Sequence, residues 1–372
     1  MTVNRLEFKG FRNLENGVLC PASDINIIYG KNAQGKTNLL EALWLFTGSR
    51  SFRNTRDADT VAFDRDKARL NLNFVSGGRE KNAQLTIEKR RTAVLGGIPL
   101  SSPAKLCGHF CAVVFSPTHL SLIKGAPEER RRFIDDAYCQ VRPGYYKILA
   151  EHNRVLAQRN ALLKKIREGF PADSMDVWNE NLAMAGARVF AARTAYIRRL
   201  SNIAQDVYSG IAGGNERLEL LYVSMSGDQN TPASTAYKNL ITMLRQKLND
   251  DIAAGFTTAG SHRDDLSVLI EGKPARIFGS QGQQRSAVLA LKLAEATVLT
   301  EETGEHPVAL LDDVLSELDT SRQNYILNHI NGWQVFLTCC DPSPVYRLTG
   351  GRVFHVTNGQ IEGEAEQQRG GK

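Results

Sequence analysis

Eight residues near the N-terminus, Gly30-Lys31-Asn32-Ala33-Gln34-Gly35-Lys36-Thr37, follow the spacing G-x-x-x-x-G-K-[ST] in full. In such a loop the glycines let the backbone curl so that successive N–H groups face a phosphate chain, and the following helix places its positive dipole end under the same anion. Lys36 then reaches the β- and γ-phosphates and Thr37 ligates Mg²⁺. A second candidate is Asp312-Asp313, where the apolar run Val308-Ala309-Leu310-Leu311 ends in two acids. A carboxylate at a strand tip beside a phosphate loop suits Mg²⁺, and Asp312 is assigned that role. A third is Ser280-Gln281-Gly282-Gln283, directly before a helical stretch. Ser280 and Gly282 open that helix, and a helix N-terminus is an anion site whichever chain supplies the phosphate.

The elements around these residues fit the chemistry. Ile25-Asn26-Ile27-Ile28-Tyr29 reads as a buried strand leading into the phosphate loop, and Leu39, Leu40, Leu43 and Phe46 form the inner side of the helix after it. Short alternating runs recur at residues 70–74, 84–87, 94–95 and 113–115, separated by Gly-Gly turns, so residues 1–125 read as one β-rich lobe holding the nucleotide. After Gly125-Ala126-Pro127 the pattern turns helical. Apolar pairs repeat every seven residues from Ile148 to Leu163, a turn follows at Gly169-Phe170-Pro171, and a second stripe runs from Leu182 to Val207. This is an antiparallel helical hairpin, too short for a long coiled-coil rod. Residues 126–255 are read as that helical insert, 256–362 as a second lobe containing the strands 267–270, 308–311 and 335–338, and 363–372 as a disordered tail.

The chain has 42% hydrophobic and 23% charged residues, as an ordinary globular protein does. No apolar run approaches the roughly 18 residues of a membrane span, and the N-terminus lacks a signal-peptide pattern, so a cytoplasmic protein with no membrane partner is expected. Six scattered cysteines read as free thiols. Cys107-Gly108-His109-Phe110-Cys111 has no second ligand pair nearby and reads as core rather than zinc site. The formal net charge is +6, and residues 142–200, with eleven Lys/Arg against five Asp/Glu, carry an equal excess. Lys147, Arg154 and Lys165 share one side of the first helix, and Arg188 and Arg199 share one side of the second. A solvated face and a nucleic-acid surface both fit this pattern.

Taken together, these motifs resemble the ABC ATPase superfamily. Ser280-Gln281-Gly282-Gln283 is similar to its signature, Asp312 to its second nucleotide motif and Ser316-Glu317-Leu318-Asp319 to its D-loop. The resemblance implies that the signature of one subunit covers the γ-phosphate held by the other, in an ATP-dependent homodimer. It adds Gln283 to the nucleotide contacts. The long separation of Lys36 from Ser280, filled by a helical hairpin, resembles the SMC-like DNA-repair branch, and the short insert resembles the RecF family. Further matches to that family are Phe11-Arg12-Asn13, Ser51-Phe52-Arg53, Phe115-Ser116-Pro117, Arg130-Arg131-Arg132-Phe133-Ile134-Asp135 and Gly260-Ser261-His262-Arg263-Asp264-Asp265-Leu266.

The fold implied is an α/β ABC-type ATPase head, a mixed β lobe plus a P-loop α/β core, with an inserted short helical-hairpin domain. Arg12 would then lie near the nucleotide. Asp313 would stand where most ABC ATPases have a glutamate that polarises the attacking water; aspartate is one methylene shorter, which implies slow turnover. The superfamily's Q-loop glutamine is not evident near Phe115-Ser116-Pro117, and Thr338-Cys339-Cys340 stands where many relatives place a switch histidine. His262 and Arg263 fit a phosphate or DNA contact and an ordinary loop equally. The family implies ATP and Mg²⁺ as cofactors, binding to double-stranded, gapped or junction DNA, and cooperation with RecR and RecO in loading RecA. Other readings are another SMC-like or nuclease-coupled ATPase, a P-loop enzyme acting on a small molecule, and an ATP-responsive scaffold.

Overall fold

A computed structural model describes residues 1–363; the tail read from sequence as disordered lies, but for Gly363, outside them. The chain divides into two compact units, Met1–His119 with the chain from Leu289 onward, and Leu120–Val288. Among the described residues no helix is long and apolar enough to cross a membrane.

The first unit is built on two six-stranded sheets. One has the order Gln360–Gly363, Arg352–Thr357, Ile25–Tyr29, Val335–Cys339, Val308–Asp312, Ala112–Phe115, parallel throughout except for its first, antiparallel strand. Val308–Asp312, Val335–Cys339 and Ala112–Phe115 are buried along their whole length, as expected of parallel strands covered on both faces. The other sheet is antiparallel, and Ala68–Ser76 at its centre alternates buried with more exposed positions. Its inward residues, among them Leu6, Phe8, Leu72 and Phe74, share one core with Leu39, Leu40, Leu43 and Phe46. That core seats the helix Lys36–Trp44.

The second unit contains the helices Pro127–Val141, Tyr145–Arg167, Met175–Ile211 and Ala233–Gln246 and a three-stranded sheet. The 37-residue helix Met175–Ile211 packs against Tyr145–Arg167, Ala233–Gln246 and the strand Leu218–Val223. At Gly186 a Cβ would stand 3.1 Å from Leu240 Cδ1 and 3.2 Å from Ser261 Oγ, so glycine permits the close approach there. Sequence reading put the strand around Ser267–Ile270 in a C-terminal lobe. The structure instead pairs Asp265–Ile270 with Leu218–Val223, Leu266 opposite Tyr222, and the unit continues to Val288. A left-handed Glu271-Gly272 turn, φ 50 and 69, reverses the chain and keeps the strand in this sheet.

The interior of this unit is unusually polar. Arg159 and Asp251, both fully buried, pair at 2.7 Å, and Arg159 also donates to Asn179 and Thr257. Arg193 forks onto Asp135 at 2.9 and 2.8 Å and donates to Ser261 O. Arg130 forks onto Asp265, and Arg131 donates to Asp264 O. The segments around Arg130–Asp135 and Gly260–Leu266, distant in sequence, are thus joined by ion pairs. His262 is part of this network: its Nε2 meets Thr257 O at 3.1 Å, while Arg263 lies over the Phe256 ring.

Burial pushes His152 and His262 down to about 4, so the folded unit leaves them neutral where an unfolded chain protonates them. Their stabilisation is present above pH 6.5 and is lost as pH falls toward 4. Burial raises Asp264 to about 6, which runs the other way: its contribution is present at low pH and is lost as pH rises through 6. Removing the opposing proton with Asp264→Asn should steepen the rise of stability between pH 4 and 6 by up to about 1.4 kcal/mol per pH unit, and His152→Gln should flatten it by a similar amount. Chemical denaturation across pH 4–7 measures this, and equal slopes in all three proteins would contradict it.

Candidate functional site

The strand Ile25–Tyr29 runs into the glycine loop, and the helix Lys36–Trp44 leaves it. Gly30 has φ 155 and a Cβ there would strike Val356 O; Gly35, the N-cap, has φ 112. With Ala33 also at positive φ, 65, the loop takes a left-handed curl that turns backbone amides inward. No side chain caps the helix, which leaves its first turn available to an anion. Lys36 is buried and folds back across the loop, its Nζ donating to Gly30 O at 2.7 Å and Lys31 O at 3.1 Å.

Asp312 ends a strand two places from Ile25–Tyr29 in the sheet, and this order brings it to the loop. Its Oδ1 accepts the Thr37 hydroxyl at 2.7 Å and the Thr338 hydroxyl at 3.0 Å. The Thr338 hydroxyl in turn accepts the Asp313 N–H at 3.0 Å. Burial raises the Asp312 carboxyl above its ordinary value, against the hydrogen bonds that lower it. Asp313 follows in left-handed backbone, φ 52, a strained geometry for a non-glycine residue and one concentrated at functional sites. Two adjacent octahedral Mg²⁺ ligands at their usual bond length lie roughly 2.9 Å apart, so Thr37 Oγ1 and Asp312 Oδ1 fit a shared ion.

Arg12 stands beside the loop on a left-handed residue, φ 56, and every part of its guanidinium is held. It forks onto Glu41 at 2.9 and 2.7 Å and donates to Thr55 Oγ1 and Asp59 O. Glu41 is fully buried on the inner side of the helix and also accepts the Ser51 hydroxyl. Asn13 donates to Ala33 O and accepts from Asn38, which bonds Arg53. The loop from Asn32 to Thr37, Arg12 and Asp313 line one cleft of about 690 Å³, with wholly exposed Phe63 at its side. Sequence reasoning passed over Glu41 and Phe63 and met Thr338 only as the start of Thr338-Cys339-Cys340, with no role for its hydroxyl. An acid among Leu40, Ala42 and Leu43 was the available signal for Glu41; Phe63 had none.

Cys340, at the place where the resemblance implied a switch histidine, bonds Asn32 Oδ1 at 3.2 Å and lies 3.8 Å from Lys36 Nζ. Beyond Asp313, Ser316 Oγ donates to Asp313 O, and Asp319 caps the helix Thr320–His329. Ser280, Gly282 and Gln283 belong to the other compact unit, where they open the helix Gln281–Thr303. Of the basic set, Lys147, Arg154 and Lys165 are exposed; Arg188 is exposed but pairs with Glu151 at 3.5 Å, and Arg199 is half-buried. Arg159 and Arg193, counted in the hairpin's charge excess, are buried ion-pair partners and add nothing to its surface.

Residues 5–137 match a family described as an AAA domain. Two proteins described as DNA replication and repair protein RecF, from Acetivibrio thermocellus and Lachnoclostridium phytofermentans, are 37% and 38% identical to this chain. The alignments cover 92% and 97% of this chain and 94% and 99% of the relatives. A solved structure of the recombination mediator protein RecF with ATP, in the RecFOR pathway, superposes with a TM-score of 0.92 at 36% identity over 98% of both chains. An SMC head bound to the C-terminal winged-helix domain of ScpA shares the fold, with a TM-score of 0.55 at 15% identity over 99% of each chain. The chain belongs to the RecF family of DNA replication and repair proteins and has an ABC-type ATPase head.

Thr338 binds the Asp312 carboxylate and the Asp313 N–H at once and so fixes both residues at the cleft. Thr338→Val should therefore cut ATP turnover by about 10- to 100-fold with the fold intact, the usual cost of losing such a supporting contact. Steady-state hydrolysis beside a thermal melt measures it; wild-type turnover in Thr338→Val would contradict the assignment.

Proposed function

We propose that this RecF-family protein is an ATP-gated DNA clamp of recombinational repair in the cytoplasm. The observation that carries the reading is the Thr37–Asp312 oxygen pair beside an uncapped helix N-terminus, the combination that a Mg²⁺-bound triphosphate requires. The amides of residues 30–35 cradle the phosphates, and Lys36, already inside the loop, exchanges its two carbonyl bonds for phosphate oxygens. Thr37 and Asp312 would hold a Mg²⁺ ion, which when bound would supply neutralisation of the phosphate charge. Asp313 orients the attacking water; its short side chain makes turnover slow. Arg12, locked by Glu41, presents a fixed positive charge at the cleft.

Ser280, Gly282 and Gln283 of a second copy complete each site, so ATP joins two subunits and hydrolysis parts them. The solved ATP-bound relative and the complete loop, signature and acid motifs support this reading. DNA is gripped through its backbone by Lys147, Arg154, Lys165, Arg188 and Arg199, which gives affinity without sequence reading. The RecFOR pathway named for that relative supports cooperation with RecR and RecO in loading the recombinase at gapped or junction DNA.

Ser280→Arg should bind ATP as the wild type does yet stay monomeric in sedimentation with Mg²⁺-ATP; dimers of that variant would contradict the shared site. Replacing Lys147, Arg154 and Lys165 together by Glu should weaken duplex binding and lower the slope of log affinity against log salt by about 2 to 3. An unchanged slope would assign those residues to a merely solvated face.

A further inference from the structure

The turn before the helix Gln281–Thr303 closes on itself. Gln283 N–H donates to Ser280 Oγ at 3.2 Å, and Gln283 Oε1 accepts the Ser280 N–H at 2.8 Å, a reciprocal capping box. This leaves the amide nitrogen of Gln283 unused by the box. It donates to Glu216 Oε1 at 2.8 Å, and Glu216 Oε2 accepts the Tyr208 hydroxyl at 2.6 Å. Tyr208 is fully buried in the last turn of the helix Met175–Ile211. Glu216 stands in the connection from that helix to the strand Leu218–Val223. The connection is itself pinned, because Glu271 N–H donates to Arg217 O at 3.0 Å and Arg217 N–H to the Glu271 carboxylate. A hydrogen-bonded chain therefore runs from Tyr208 through Glu216 and Gln283 to Ser280.

We infer that Glu216 is a positioning residue that holds the Ser280–Gln283 turn in its phosphate-binding shape and ties that shape to the end of the long helix. A glutamine amide can flip, exchanging its oxygen and nitrogen, and a flip here would set an NH₂ group against the Ser280 N–H and open the box. A carboxylate only accepts, so Glu216 admits one orientation, with nitrogen toward itself and oxygen toward Ser280. In that orientation the Ser280 oxygen takes its hydrogen bond from Gln283, and its own proton remains free to donate to an anionic oxygen. The same helix carries Arg188 and Arg199, so a shift of its last turn would move Tyr208, then Glu216, then the turn. The inference rests on the reading of Ser280–Gln283 as the half-site completed by a second copy.

A charge-swap cycle tests it. Gln283→Glu sets two carboxylates against each other and should lower the maximal ATP turnover at least about tenfold, with ATP affinity at the loop 30–37 unchanged. In the double variant Gln283→Glu/Glu216→Gln every bond can re-form, that between residues 216 and 283 with donor and acceptor exchanged: the new acid caps Ser280 N–H, and the new amide donates to it while accepting from Tyr208. Turnover and ATP-dependent dimers should then rise at least about threefold above those of Gln283→Glu, short of wild type because residue 283 also faces the phosphate. Tyr208→Phe, which removes one oxygen only, should give a smaller loss in the same direction. ATP binding by each variant reports that it is folded. Wild-type turnover in Gln283→Glu, or a double variant no better than Gln283→Glu, would overturn the role of Glu216 if Ser280→Arg abolishes turnover. Should Ser280→Arg leave turnover and dimers unchanged, the half-site reading fails and this inference with it.

Discussion

The hydrogen bond between Thr37 and Asp312 joins the two parts of the chain on which the site depends. One partner opens the helix after the glycine loop; the other ends a strand about 275 residues later. A parallel sheet makes the meeting possible, since its strands all deliver their C-terminal ends to one edge. Val335–Cys339 lies between Ile25–Tyr29 and Val308–Asp312, with Asp312 opposite Thr338 and Cys339 opposite Tyr29. Thr338 is thereby placed to bind Asp312 and the Asp313 amide together. A slip of one residue in this register would turn Thr338 to the other face and leave a buried carboxylate short of a donor.

The parts of the site that were legible in the sequence are those whose chemistry is local. The glycine loop, the acid pair at a strand tip and the Ser280–Gln283 turn at a helix start each lie within a few residues, and their order and spacing together exposed them. Glu41 was not legible, because its meaning lies in Arg12, Ser51 and Arg53, which the fold gathers from separate loops. The same holds for Asp265–Ile270: alternation announced a strand, but only the pairing with Leu218–Val223 says which sheet it joins. Charge counting misled in one respect. Arg159 and Arg193 entered the count for residues 142–200, yet their acids, Asp251 and Asp135, lie outside that stretch.

Buried ion pairs occur in both units: Arg12–Glu41 and Lys292–Glu295 in the first, beside its aliphatic and aromatic core, and the guanidinium pairs in the second. The second carries guanidiniums in its interior, each forked or shared among several oxygens, where loss of one partner leaves an uncompensated charge at a cost of about 3–5 kcal/mol. Its helices are therefore held in angle as well as in contact, since a forked bond is lost with small rotations. A unit fixed in this way can pass a displacement from its long helix to the turn at Ser280 rather than absorb it.

The central claim is that each working site draws its loop from one copy and its signature from another. Lys36→Ala removes the loop's lysine and Ser280→Arg blocks the signature, so each protein alone should be inactive. Mixed in equal amounts, one of each can pair to give a dimer with one intact site, so ATP hydrolysis should recover, to no more than about half of the wild-type rate per subunit. A mixture as inactive as its components, under conditions where Ser280→Arg still binds ATP, would contradict the account.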